Sequence, residues 1–285
     1  MSSPPESLPD YAEGLTPAAP VADQSMGGMP APLPAVAAEK PFPAWSGWDV
    51  LAVFFFALVT IIAFIAAAIL GAHTLPAYRN LGFSDLKPYV PVAIAAQAAA
   101  YPVILLVIFF LVRTRSSKPF GNAISWNWPQ LTAPLFLLGG TVLAFAIDKL
   151  ARFLPTPKSL PMDQYFTDAT SAYLMAGLGI VLAPLLEEMF FRGLLYPVLR
   201  RKLGLFVAVL LTALAFAAIH SSQLGYAWGP VLSIFIVGVV FTVVRVRTNS
   251  VAASFLLHCG YNLALFGALW LGTDHFRHLD KLAGG

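Results

Sequence analysis

The sequence predicts an all-α, polytopic transmembrane helix bundle of about seven spans, preceded by a disordered N-terminal tail. Two compositional facts and one pattern carry this. Charged residues make up only 11% of the 285 residues, against 58% hydrophobic, whereas a soluble domain carries about a quarter charged residues. Mean hydropathy is +0.75, so a water-facing surface would expose large apolar patches. The apolar residues also gather into runs of the length that crosses a bilayer, about twenty residues.

Residues 1–45 are rich in Pro, Ala and Ser and contain no apolar run. Such a segment buries too little surface to offset its chain entropy, which predicts disorder. Met1 to Asp10 has neither the basic start nor the apolar stretch of a signal peptide. The helical domain is expected over 46–275, with Trp45 and Trp48 as interface anchors.

The apolar runs fall at about 49–72, 89–112, 131–154, 172–199, 204–220, 229–244 and 250–271. The first is free of charge from Val50 to Ala72, and the second contains Pro91 and Pro102, the latter a candidate kink. Asp148 and Lys149 blur the end of the third. Gly229-Pro230 opens the sixth, since Pro suits a first helical turn. No internal repeat is visible, which argues against a transporter built from inverted halves.

Seven spans put Lys40, Arg113, Arg115, Lys118, Arg200, Arg201, Lys202, Arg245 and Arg247 on the amino-terminal side of the membrane. The other side receives Arg79, Lys87, Lys149, Arg152, Lys158, Arg277 and Lys281. The small excess favours a cytoplasmic amino terminus. The net charge of +3 does not indicate nucleic acid. The cations sit in short clusters at the ends of apolar runs, not along one contiguous basic face. The lone cysteine, Cys259, excludes an internal disulfide.

The fourth run carries chemistry: Ala183-Pro184-Leu185-Leu186-Glu187-Glu188-Met189-Phe190-Phe191-Arg192-Gly193. A carboxylate inside an apolar span costs about 2.5–3.5 kcal/mol even on the lenient insertion scale. Glu188 and Arg192 are one turn apart and can pair, which leaves Glu187 about 100° around the helix and aimed elsewhere. The plainer reading puts these charges among the headgroups, but the sequence from Gly193 to Leu199 continues apolar. The fifth run ends on His220, and the seventh places His258 and Asn262 on one face, with Gly260 between them to admit a close helix.

A carboxylate, two imidazoles and a carboxamide can together activate water for attack on a carbonyl. Glu187 would act as base with His220 sharing the proton, and His258 and Asn262 would donate to the developing oxyanion. The same set, through Glu187, His220 and His258, could instead hold a divalent metal.

Glu187-Glu188-x-x-x-Arg192, Phe216-x-x-x-His220 and His258-x-x-x-Asn262 resemble, in order and spacing, the motifs of the CAAX-protease and bacteriocin-processing (CPBP, or Abi) family of intramembrane peptidases. Ala183-Pro184 and Phe191-Arg192-Gly193 look like that family's first motif too. The likeness covers about residues 165–270. It implies an intramembrane endopeptidase with catalytic Glu187, His220, His258 and Asn262, supported by Glu188 and Arg192. Its expected partners are the lipid bilayer and a membrane-associated peptide or protein of CAAX or bacteriocin type. Members are commonly called metalloproteases, so zinc is a candidate cofactor. The bacterial branch of the resemblance points to an inner-membrane location.

Other intramembrane peptidases lack their signatures here. There is no His-Glu-x-x-His helix, no Gly-x-Ser-Gly, and no pair of buried aspartates. Cys259 next to His258 cannot form a working pair with it, since adjacent helical residues diverge by about 100°. A non-catalytic immunity or scaffold protein and a proton-coupled transporter are the remaining alternatives.

Overall fold

A computed structural model describes residues 42–82 and 87–282. The predicted disorder of the tail concerns residues that, up to 41, lie outside these. Residues 42–45 are described. Pro43 and Trp45 are buried, and the Trp45 indole Nε1 donates to the Leu194 carbonyl at 3.0 Å. Trp45 is thus a core residue, whereas Trp48 is exposed as an interface anchor would be.

Six helices are long and apolar enough to cross a membrane, and a seventh apolar helix is shorter. We label them α1 (Gly47–His73), α2 (Val90–Arg115), α3 (Ala133–Ala151), α4 (Ala169–Leu203), α5 (Leu205–His220), α6 (Trp228–Thr248) and α7 (Val251–Gly272). The all-α bundle read from the sequence is therefore present, and among the described residues no strand occurs. α1 opens on a capping box, in which the Ser46 hydroxyl accepts from Asp49 N–H and the Asp49 carboxylate accepts from Ser46 N–H. Asp49 also takes Arg115 at the end of α2. α2 runs unbroken through Pro102. α3 runs past Asp148 and Lys149, which blurred its boundary, to Ala151, and Asp148 pairs with Arg152 at the C-cap.

Two contacts position the site. α3 crosses α7 backbone to backbone at two glycines. A Cβ on Gly140 would overlap the Leu257 carbonyl, and one on Gly260 the Leu137 carbonyl. Without a hydrophobic drive between helices in lipid, such close small-residue packing holds them together. α5, by contrast, is only 16 residues long, about 24 Å at 1.5 Å per residue, short of the roughly 30 Å hydrocarbon core. His220 at its end therefore lies at the depth of mid-span Glu187, not at the interface.

Candidate active site

α4 is not a regular α-helix. Two π-helical stretches, Leu178–Leu182 and Met189–Leu195, flank the turn that holds Glu187 and Glu188. Each gives way to a Pro-bearing turn, with Pro184 and Pro197 at its second residue. The chemistry of Pro explains the pattern. In the first stretch the Ala183 N–H reaches back five residues to the Leu178 carbonyl. The next bond of that register would run from residue 184 to the Gly179 carbonyl, but Pro184 has no N–H to give. The orphaned Gly179 carbonyl instead accepts from the Asn262 side-chain amide of α7 at 2.7 Å. In the second stretch Tyr196 N–H reaches Phe191 O, and Pro197 again ends the register. π-bulges of this kind are frequent at functional sites.

Glu188 and Arg192 are both fully buried and pair at 2.8 Å. The carboxylate takes three donors. Its Oε1 accepts from Arg192 Nη1 and, at 3.1 Å, from His258 Nδ1. Its Oε2 accepts from the Ser254 hydroxyl at 2.6 Å. The guanidinium also donates to the Gly238 carbonyl and to Thr242 Oγ1. Its Cζ lies 4.6 Å from the Phe216 ring centre and 5.4 Å from that of Phe241, within cation–π range. This network ties α4, α6 and α7 together and leaves no donor of Arg192 facing lipid.

Glu187 points away from that core, as the 100° turn requires, and is partly accessible, at 19% of its side chain. Its Oε1 lies 3.9 Å from His220 Nε2 and its Oε2 lies 3.8 Å from His258 Nε2. The other nitrogen of each ring is engaged. His220 Nδ1 lies 2.8 Å from the Phe216 carbonyl, which can only accept, so Nδ1 carries the proton and Nε2 the lone pair. His258 Nδ1 likewise faces an acceptor, the Glu188 carboxylate. The structure thus brings Glu187, His220 and His258 together at one point on α4, α5 and α7. Asn262, one turn beyond His258, donates its side-chain amide to the Gly179 carbonyl.

Zinc can be tested against these donors. A catalytic zinc needs three protein ligands converging at about 2.0–2.2 Å. Here the Glu187 carboxylate stands between the two rings, one oxygen to each, and Glu188 is engaged by Arg192, His258 and Ser254. Among the described residues no group of three His, Cys, Asp or Glu side chains is placed to hold a metal. The arrangement does not fit a zinc ion, and no step below is routed through one. Cys259, the other sulfur or nitrogen donor nearby, is buried.

Four participants were not read from the sequence. Ser254 is one turn before His258, and Thr242 and Gly238 lie a turn apart on α6. Each is unremarkable until its helix is placed. The last is Tyr101 on α2, which is buried. Gln97 Nε2 donates to its hydroxyl oxygen at 2.6 Å, so the phenol proton is left to donate elsewhere. A Gln and a Tyr one turn apart in an apolar span was the available signal.

The fold and site together define a class: a polytopic membrane protein with a carboxylate set between two imidazoles inside the bilayer. Comparison with known proteins narrows it. Residues 169–264 match the family described as type II CAAX prenyl endopeptidase, Rce1-like. The chain is also 27% identical over 172 residues to the UPF0177 protein YbdI of Lactococcus lactis subsp. lactis (strain IL1403), covering 57% of this chain and 91% of that protein. No solved structure matches. The matched segment contains Glu187, His220, His258 and Asn262, the residues on which the three motifs resemble that family.

Proposed function

We propose that the protein is an intramembrane endopeptidase in which Glu187 and His220 activate a water for attack on a peptide carbonyl at the membrane. The observation that carries this is the Glu187 carboxylate 3.9 Å from the His220 Nε2 lone pair. That gap is too wide for a direct hydrogen bond and right for one water to bridge, donating a proton to each at about 2.8 Å. As the water oxygen bonds to the carbonyl carbon, its proton passes to this pair and the carbonyl oxygen becomes an oxyanion.

His258 holds its Nδ1 proton on Glu188, so it donates to the oxyanion from Nε2 when the ring is an imidazolium. Asn262 spends one amide proton on Gly179 and offers the other to the same oxyanion. Collapse of the intermediate breaks the C–N bond, and the proton taken from water goes to the leaving amine. Glu188 and Arg192 keep His258 in place without touching substrate. The expected substrate is a membrane-associated peptide or protein, as the family match suggests, and the enzyme works without metal.

The test is cleavage of a membrane-tethered peptide by the purified protein in proteoliposomes. Glu187→Gln and His220→Gln are each expected to lower the rate about 10²–10⁴-fold, the typical worth of a general base. Undiminished cleavage by Glu187→Gln would remove the proposed base.

A further inference from the structure

We infer that a cavity at the amino-terminal end of the bundle, remote in role from the site above, is a binding site for the phosphate group of an anionic phospholipid. The cavity holds about 700 Å³ and is walled by the ends of α2, α4 and α6 together with Phe42 before α1. Lys118, Arg200, Arg201 and Arg245 line it, with Asn122 and Ser125 as neutral polar neighbours, and among the described residues none that lines it is acidic.

Cations at span ends are ordinary for membrane proteins and would prove nothing alone. Arg245 is not ordinary. It is 3% exposed, it forms no ion pair among the described residues, and its Nε has no hydrogen-bond partner. Its remaining contacts are neutral: Nη1 donates to the Asn249 side chain at 2.9 Å, and the guanidinium lies over the Tyr196 ring at 5.8 Å. A buried charge left without a counter-charge is costly, and a buried donor without an acceptor calls for a specific explanation.

The neighbouring Arg200 and Arg201 have neutral partners. Arg200 Nη1 donates to Tyr196 OH at 2.7 Å, and Arg201 Nη1 to the Pro43 carbonyl. Each contact orients a guanidinium without cancelling its charge. Several planar donor forks converging on one space match a tetrahedral phosphate better than any single carboxylate. The level of the cavity selects the source. It sits where helices leave the bilayer, and basic pockets between transmembrane helices at that level bind anionic headgroups.

The experiment is native mass spectrometry of the full chain released from nanodiscs of phosphatidylcholine with or without phosphatidylglycerol. The expected result is one retained phosphatidylglycerol in preference to phosphatidylcholine. Arg245→Gln and Arg200→Gln should each weaken retention about fivefold, the worth of one basic residue near an anionic surface. Arg200→Lys should weaken it less. Arg200 is exposed, so its variant remains informative if Arg245→Gln fails to fold. Arg277→Gln, which removes the same charge at the opposite end of the bundle, should leave retention unchanged. Retention that is equal for both lipids, or that falls equally in Arg277→Gln, would overturn the site. A second arm titrates inorganic phosphate into delipidated protein. Saturable phosphate binding that is lost in the same variants, in a protein that retains no phosphatidylglycerol, would overturn the lipid assignment.

Discussion

At Arg192 the guanidinium meets a carboxylate, a backbone carbonyl, a hydroxyl and aromatic faces, all out of reach of solvent. Arg192→Ala therefore strands Glu188 as a buried, half-compensated charge, and such a break costs about 3–5 kcal/mol. The expected outcome is a sharp fall in folded yield and thermal midpoint in detergent, read by size-exclusion and melting assays. Glu187→Gln should leave both unchanged, because that side chain makes no comparable network and is partly accessible. Equal losses in the two variants would refute this separation of roles. The one-turn pair of Glu188 and Arg192 and the shared face of His258 and Asn262 were legible in the sequence, because helical spacing alone fixes them. The partners supplied by other helices were not, since Ser254 on Glu188 or Gly179 on Asn262 depends on which helices adjoin.

Among the elements, α4 departs furthest from expectation. Its apolar run predicted one regular span, and the structure divides it into α and π stretches gated by Pro184 and Pro197. Both prolines were visible, but what they do to the carbonyls five residues earlier follows only once the π register is known. If Pro184 orphans the Gly179 carbonyl for Asn262, then Pro184→Ala supplies a competing N–H. The variant should fold with unchanged or higher thermal midpoint yet lose peptidase rate, as Asn262 is released from its aligned position. Full activity in a folded Pro184→Ala protein would contradict that coupling. The α3–α7 crossing makes a different prediction. Gly260→Val places a side chain on the Leu137 backbone, where no rotamer change relieves it. Helix separation should lower the folded yield more than Gly272→Val, whose Cβ meets nothing within 4 Å.

For the whole molecule, composition and run length predicted about seven spans, and the described residues hold six helices of spanning length and a shorter seventh. α5 is too short to traverse the hydrocarbon core unaided, and this shortness is what brings His220 level with Glu187. A run length cannot distinguish a span that ends at the interface from one that ends beside a catalytic carboxylate. The chain is an integral membrane protein, with six helices among the described residues long and apolar enough to cross a bilayer. The donor geometry also predicts that peptidase activity survives exhaustive dialysis against a strong chelator. Loss on chelation with stoichiometric recovery by zinc would show that a metal organises the site after all.

The most direct measurement of the central claim, one water shared by Glu187 and His220, is a double-mutant cycle on the cleavage rate of a membrane-tethered peptide. Residues that act as a unit are grossly non-additive. Glu187→Gln with His220→Gln should therefore be about as slow as the slower single variant, with all proteins equally folded. If the two losses multiply in the double variant, the groups act independently and the shared-water account is wrong.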